Sequence, residues 1–182
     1  MSDSNWIMLG SGRVFRPFDP DPADIDIADI ARALSRICRY GAHTSRFYSV
    51  AEHSCLVADC VPARLRFAAL LHDAAEAYLG DIPRPIKKHS DMAGWRIAEE
   101  RVEAAIARRF GLPATMDPVI KDIDDRIILD EWNALMPTTD LDIGVSGARL
   151  DVQLFGWDPE TAEAEFLHKF EIYRHYPHQV RA

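Results

Sequence analysis

The chain has 182 residues, 48% hydrophobic and 27% charged, which suits one compact soluble domain with a real core and excludes disordered or collagen-like structure. Twenty-one Lys+Arg against 29 Asp+Glu leave a formal net charge of -8, the wrong sign for gripping a nucleic-acid backbone. No nucleic-acid polymer is therefore expected as a partner, and an anionic ligand would need a local basic patch.

Cys38, Cys55 and Cys60 are odd in number and form no C-x-x-C pair, which argues against a disulfide scaffold or a zinc knuckle and for a reducing compartment. Apolar runs such as Phe67 to Leu71 fall far short of the ~20 residues of a membrane span. Met1 to Trp6 has neither the basic nor the apolar region of a signal peptide. A cytoplasmic protein with no membrane partner is the expectation.

Gly10-Ser11-Gly12, Pro17 and Asp19-Pro20-Asp21-Pro22 favour turns at the start of the chain, with a short strand or hairpin around Arg13 to Phe15. Gly10-Ser11-Gly12 lacks the Lys-Ser or Lys-Thr that would complete a phosphate loop. From Ile25 the period becomes helical: Ile27, Ile30, Ala31, Leu34 and Ile37 mark one buried face of a helix ending near Tyr40-Gly41. Similar stripes predict helices over Ser49 to Val61, Arg64 to Leu79, Trp95 to Phe110, Pro118 to Met136 and Pro159 to Tyr173. Gly111 suits a helix end, and Asp158-Pro159 suits a cap followed by a first helical residue. The fold class is all-α, a compact bundle of about six helices with a short N-terminal extension that forms a small strand pair. The loop from Thr138 to Trp157 leaves room for a second pair.

Chemistry concentrates in Leu70-Leu71-His72-Asp73-Ala74-Ala75-Glu76, an ionisable triplet inside an apolar helix. Such side chains are costly to bury unpaired, and helical spacing lets His72, Asp73 and Glu76 share one cleft. His53 lies on the stripe with Val50, Val57 and Val61, and Asp124 on the stripe with Ile120, Ile127 and Glu131, so each points inward from a neighbouring helix. Two imidazoles and two carboxylates suit Zn, Mn, Co or Fe(II) and leave positions open for water and substrate.

His53, His72-Asp73 and Asp124 resemble the H…HD…D signature of the HD-domain metal-dependent phosphohydrolases, an all-helical superfamily. The resemblance extends to Ile37-Cys38-Arg39-Tyr40, Phe47 to Ser54, Leu71 to Ala77, Gly80 to Lys87, and Trp157-Asp158-Pro159-Glu160 with Phe166-Leu167. These stretches are similar to the small phage and bacterial branch that includes 5′-deoxynucleotidases and phage dATP triphosphohydrolases. The resemblance implies that His53, His72, Asp73 and Asp124 ligate a divalent transition metal (Zn, Co or Mn), with Mg on the substrate phosphates as a further cofactor. Asp122 and Asp125 read instead as a solvated helix face. The resemblance makes Glu76 and Asp81 the catalytic carboxylates that orient or deprotonate the attacking water.

It also assigns phosphate binding to Arg39, whose alternative is an ordinary helix-end cation. Tyr40 is placed near sugar or base, with core packing as the alternative, and Arg84 and Lys87 form the basic group for a phosphate tail. His43 lies where it reaches a nucleobase or remains a surface histidine. The activity implied is that of a dNTP triphosphohydrolase, water attacking the α-phosphorus and triphosphate leaving whole. A 5′-deoxynucleotidase acting on dNMPs is the runner-up, and a non-catalytic nucleotide-binding module the reading from another class. The expected partners are a deoxynucleotide and further copies of the chain in a homo-oligomer. His89, His168, His175 and His178 lack partner spacing for a second metal. Trp95, Trp132 and Trp157 read as packing, and the cysteines lack an activating base.

Overall fold

A computed structural model describes residues 5–175. His178 and the start of the Met1 to Trp6 segment lie outside them. Among the described residues there are eight α-helices: α1 (Ile27–Leu34), α2 (Val50–Cys60), α3 (Arg66–Leu70), α4 (Glu76–Leu79), α5 (Arg84–Lys87), α6 (Ala93–Phe110), α7 (Pro118–Leu135) and α8 (Pro159–Tyr173). Strands β1 (Ile7–Met8) and β2 (Val14–Phe15) pair antiparallel, Ile7 opposite Phe15 and Met8 opposite Val14. The all-α class and the N-terminal strand pair are thus as expected. Gly10-Ser11-Gly12 forms the turn between the strands, tied to α1 where the Ser11 N–H and hydroxyl donate to Asp29 at 2.9 and 2.7 Å.

Helix α2 occupies the centre, packed against α1, α3, α7 and α8. Every residue from Val50 to Ala58 is buried, so this helix has no solvent face on which to leave Glu52 and His53. Its N-terminus is capped by the Ser49 hydroxyl, which accepts the Glu52 N–H. The core around it includes Tyr48, Val57, Leu70, Ile120, Ile127 and Phe166. Asp158 caps α8 by accepting the Thr161 N–H, with Pro159 as the first helical residue. Gly111, at φ 67°, closes α6 in the left-handed conformation that glycine adopts without strain.

Three expectations are corrected. The first helix stops at Leu34 rather than near Tyr40-Gly41, because the following segment pairs with the chain entering α2. Val50 N–H donates to Ile37 C=O and Arg39 N–H to Tyr48 C=O, both at 3.0 Å, around a bridge between Cys38 and Ser49. This pairing sets Arg39 beside the start of α2. The single helix expected over Arg64 to Leu79 is broken between α3 and α4. There His72 Nδ1–H donates to the Ala69 carbonyl at 2.7 Å, the acceptor that the Asp73 N–H takes in a regular α-helix. Bonds three residues apart, Ala74 to Leu71 and Glu76 to Asp73, carry the chain through the break. This break and the short α5 account for more helices than the roughly six anticipated. Lastly, no strand pair forms within Thr138 to Trp157 among the described residues.

That segment is instead fixed at its end by Glu52. The carboxylate accepts the backbone N–H groups of Phe155, Gly156 and Trp157 at 2.6, 2.9 and 2.8 Å, a nest that compensates a buried negative charge. Gly156 has φ 70°, and a Cβ there would stand 2.5 Å from Arg46 Nη1, whose guanidinium bonds the Leu154 and Phe155 carbonyls. Glu52→Ala should cost on the order of 3 kcal/mol or more of unfolding free energy, because three backbone donors lose a charged acceptor together. An unchanged midpoint in chemical denaturation would contradict the clamp.

Candidate metal centre

Two helices and the break between α3 and α4 deliver the four expected ligands to one point. His53 comes from the middle of α2 and is fully buried. Asp124 comes from α7, and His72 and Asp73 from the break. One donor atom each from His53, His72 and Asp73 lie within 4.8 Å of one another, a group able to hold a metal ion. His53 Nε2 is 3.5 Å from Asp73 Oδ2 and 3.3 Å from Asp124 Oδ1. His72 Nε2 is 3.2 Å from Asp73 Oδ2 and 3.8 Å from Asp124 Oδ1. Donors bound about 2.1 Å from a common ion stand roughly 3.0 to 3.5 Å apart, so this spacing is close to that of a formed ligand set.

The imidazole tautomers fit the same use. His53 Nδ1 bonds Glu131 Oε1 at 2.6 Å, and His72 Nδ1 bonds the Ala69 carbonyl. Both partners are acceptors, so each Nδ1 carries a proton and each Nε2 is left facing the carboxylates as the place for a cation, whether a proton or a metal. Both Nε2 atoms are buried without a hydrogen-bond partner, which costs free energy unless a cation takes them. Burial opposes charging the two imidazoles, and Arg39 further opposes it at His53. Glu131 at His53 and Asp73 at His72 outweigh these effects and raise both pKa values. Asp73 and Asp124, although burial opposes it, are held below the usual carboxylate range by the imidazoles. The cleft is therefore a place where positive charge is favoured.

Glu131, fully buried on α7, underlies this arrangement. Its Oε1 accepts from His53 Nδ1 at 2.6 Å and from the Tyr48 hydroxyl at 2.9 Å. Its Oε2 accepts from Arg39 Nη2 at 3.1 Å and from the Tyr40 hydroxyl. Burial works against ionisation, but Arg39 and His53 prevail and bring the Glu131 pKa to about 2. In the amino-acid order Glu131 is marked only by its place two turns beyond Asp124 on the same apolar stripe. Arg39, expected to meet phosphate, is buried between Glu131 and Asp73, its Nη1 3.6 Å from Asp73 Oδ2. Tyr40 is half-buried beside it, with Trp132 edge-on at 6.2 Å between ring centroids.

Glu76 is buried at the start of α4. Burial, then the charges of Asp73 and Asp81, push its carboxyl well above the usual range. Burial likewise raises Asp81, with Asp73 adding to the rise against Arg39. The basic group stands at the edge and is already paired. Arg84 bonds Asp124 Oδ2 at 3.2 Å and Asp125 Oδ1 at 2.7 Å. Lys87 bonds Glu99 at 2.6 Å, stands 4.0 Å from Glu76 and lies 4.9 Å over the Trp95 ring. His43 is exposed and makes no side-chain bond to the four ligands among the described residues. Asp122 is exposed and pairs with Arg126. Cys38, Cys55 and Cys60 are free thiols, and burial pushes the Cys55 and Cys60 thiols up, away from nucleophilic use. No helix among the described residues is long and apolar enough to cross a membrane.

No protein-family model matches the chain. It is 42% identical over 120 residues to the uncharacterized protein YfdR of Escherichia coli (strain K12), covering 66% of this chain and 66% of that protein. It is 42% identical over 125 residues to the uncharacterized protein RCAP_rcc00048 of Rhodobacter capsulatus, covering 64% of this chain and 63% of that one. The chain thus covers slightly less than two thirds of the length of both relatives, and neither name states an activity.

Asp73→Ala should lose most of the bound divalent metal, by the 10- to 100-fold or more in affinity that loss of a ligand's support costs, whereas Asp122→Ala should not. Elemental analysis showing full occupancy in Asp73→Ala would remove that residue from the ligand set.

Proposed function

We propose that the chain is a metal-dependent phosphohydrolase of deoxynucleotides. The observation that carries the proposal is the pair of buried imidazoles whose unpartnered Nε2 atoms converge on Asp73 and Asp124. His53, His72, Asp73 and Asp124 would hold Zn, Co or Mn. A metal there supplies Lewis acidity, which acidifies a water beside it and offsets phosphate charge. Glu76 positions that water and takes its proton, a task helped by a carboxyl whose proton affinity burial has raised. Asp81 helps orient the same water, and Arg39, buried between Glu131 and Asp73, offers its guanidinium to the phosphate. The resemblance of the motif-bearing stretches to HD-domain phosphohydrolases supports the same reading.

Two versions differ in what Arg84 and Lys87 do. As a dNTP triphosphohydrolase, the enzyme exchanges their carboxylate partners for the β- and γ-phosphates, and water attacks the α-phosphorus with triphosphate leaving opposite it. As a 5′-deoxynucleotidase it needs no exchange, and the ion pairs of Arg84 with Asp124 and Asp125 and of Lys87 with Glu99 favour this second version.

Chelator-stripped protein reloaded with Mn, Co or Zn and given dATP should release deoxyadenosine and tripolyphosphate under the first version. Orthophosphate from dAMP, with dATP intact, establishes the second. No phosphate from any dNTP or dNMP would sink both and leave a nucleotide-binding module. Glu76→Ala should keep its metal and lose roughly 10²- to 10⁴-fold in rate. Metal lost in step with rate would make Glu76 a ligand instead.

A further inference from the structure

Glu131 touches both halves of the candidate site through different oxygens. Oε1 serves the metal ligand His53, together with Tyr48 from the strand-like entry to α2. Oε2 serves Arg39 and Tyr40, the residues placed nearest the phosphate and the sugar or base. A carboxylate offers about four acceptor positions, and four donors occupy these. Rotating the group would break all four bonds in a fully buried setting, so the two halves are locked to one rigid plane.

The backbone beneath Oε2 is consistent with such a lock. Tyr40, Gly41 and Ala42 follow one another in the left-handed region, at φ 56°, 60° and 64°. Two of the three are not glycine, and such residues persist there only where their surroundings hold them. The Tyr40 hydroxyl and the Arg39 guanidinium, anchored together on Glu131, supply that hold.

We propose that Glu131 is a positioning residue that sets metal affinity through Oε1 and, separately, the phosphate affinity of Arg39 through Oε2. The proposal rests on the metal-dependent phosphohydrolase reading and names the device that aligns its parts. The Nδ1–H bond to Oε1 fixes the plane of the His53 ring and would raise the basicity of Nε2 toward a cation. Arg39 and Tyr40 on Oε2 are held by their own bonds in the orientation a phosphate needs.

Three substitutions separate the oxygens. Tyr48→Phe removes a donor from Oε1 alone, and Tyr40→Phe removes one from Oε2 while keeping the ring. Glu131→Gln replaces one acceptor by an amide donor, so it can serve one side only. Co(II) titrated into the chelator-stripped full chain, followed by its visible absorption, reports metal affinity. Inorganic phosphate titrated into the Co(II)-loaded protein reports anion affinity without turnover.

Tyr48→Phe should weaken Co(II) by about 10-fold and leave phosphate affinity within twofold. Tyr40→Phe should do the reverse, with phosphate weakened roughly 3- to 10-fold. Glu131→Gln should weaken Co(II) about 10- to 100-fold and also weaken phosphate. Loss of stability alone moves both affinities together in every variant, and that pattern would overturn the proposal. So would wild-type affinities in a folded Glu131→Gln protein. If Glu131→Gln fails to fold, the opposite selectivities of the two tyrosine variants decide. Wild-type protein that binds no Co(II) would remove the metal-dependent reading itself, a result distinct from normal binding with unchanged variants.

Discussion

Burying α2 on every side imposes the constraint from which the rest of the structure follows. A helix with no wet face cannot leave Glu52 and His53 to solvent, so each must be met by partners brought from elsewhere in the chain. The partners are of opposite kinds. Glu52 is met by three backbone N–H groups just before α8, which ties the end of the long loop to the centre. His53 is met by Glu131 on one nitrogen and faces the carboxylates of Asp73 and Asp124 with the other. One helix thereby organises both the closing of the fold and the assembly of the cleft.

The electrostatics of the cleft sharpen the point. In a chain of net charge -8, the cations nearest the ligands are engaged: Arg39 with Glu131 and Asp73, Arg84 and Lys121 each with Asp124 and Asp125, and Lys87 with Glu99. These pairs are not equivalent. Arg39 is buried and its partner fully so, where an ion pair broken on one side leaves an uncompensated charge. Arg84 is nearly half exposed, and its pairs are screened and exchange readily. The inner cation belongs to the architecture of the site, whereas Arg84 at its edge is held by weaker, exposed pairs.

Much of this is legible in the amino-acid order, for identifiable reasons. His53 and Asp124 stand out because each interrupts an apolar stripe, and a polar residue on a buried stripe must have business in the interior. Glu131 carried the same signal but no motif to give it meaning. Glu52 carried none, since it lies off the stripe of Val50, His53 and Val57, on a side of α2 that the period marks as exposed but the fold buries. The end of α1 at Leu34 depends on residues 37–39 pairing with residues 48–50, and a helical period cannot reveal such tertiary competition. The break after α3 depends on where one imidazole finds its acceptor. Helical spacing alone still placed His72, Asp73 and Glu76 along one cleft, because tighter turns shift their directions without dispersing them.

The bond from Glu52 to Phe155, Gly156 and Trp157 spans 103 to 105 residues of chain. Its consequence is one of timing during synthesis. When α2 leaves the ribosome, His53 and Glu52 are already present, but Asp124, Glu131 and the three N–H groups that answer Glu52 are not. At about 5 to 20 residues per second, several seconds pass in which the central helix carries two uncompensated polar groups. Until those residues emerge, burying α2 would cost the full penalty of both unmatched groups.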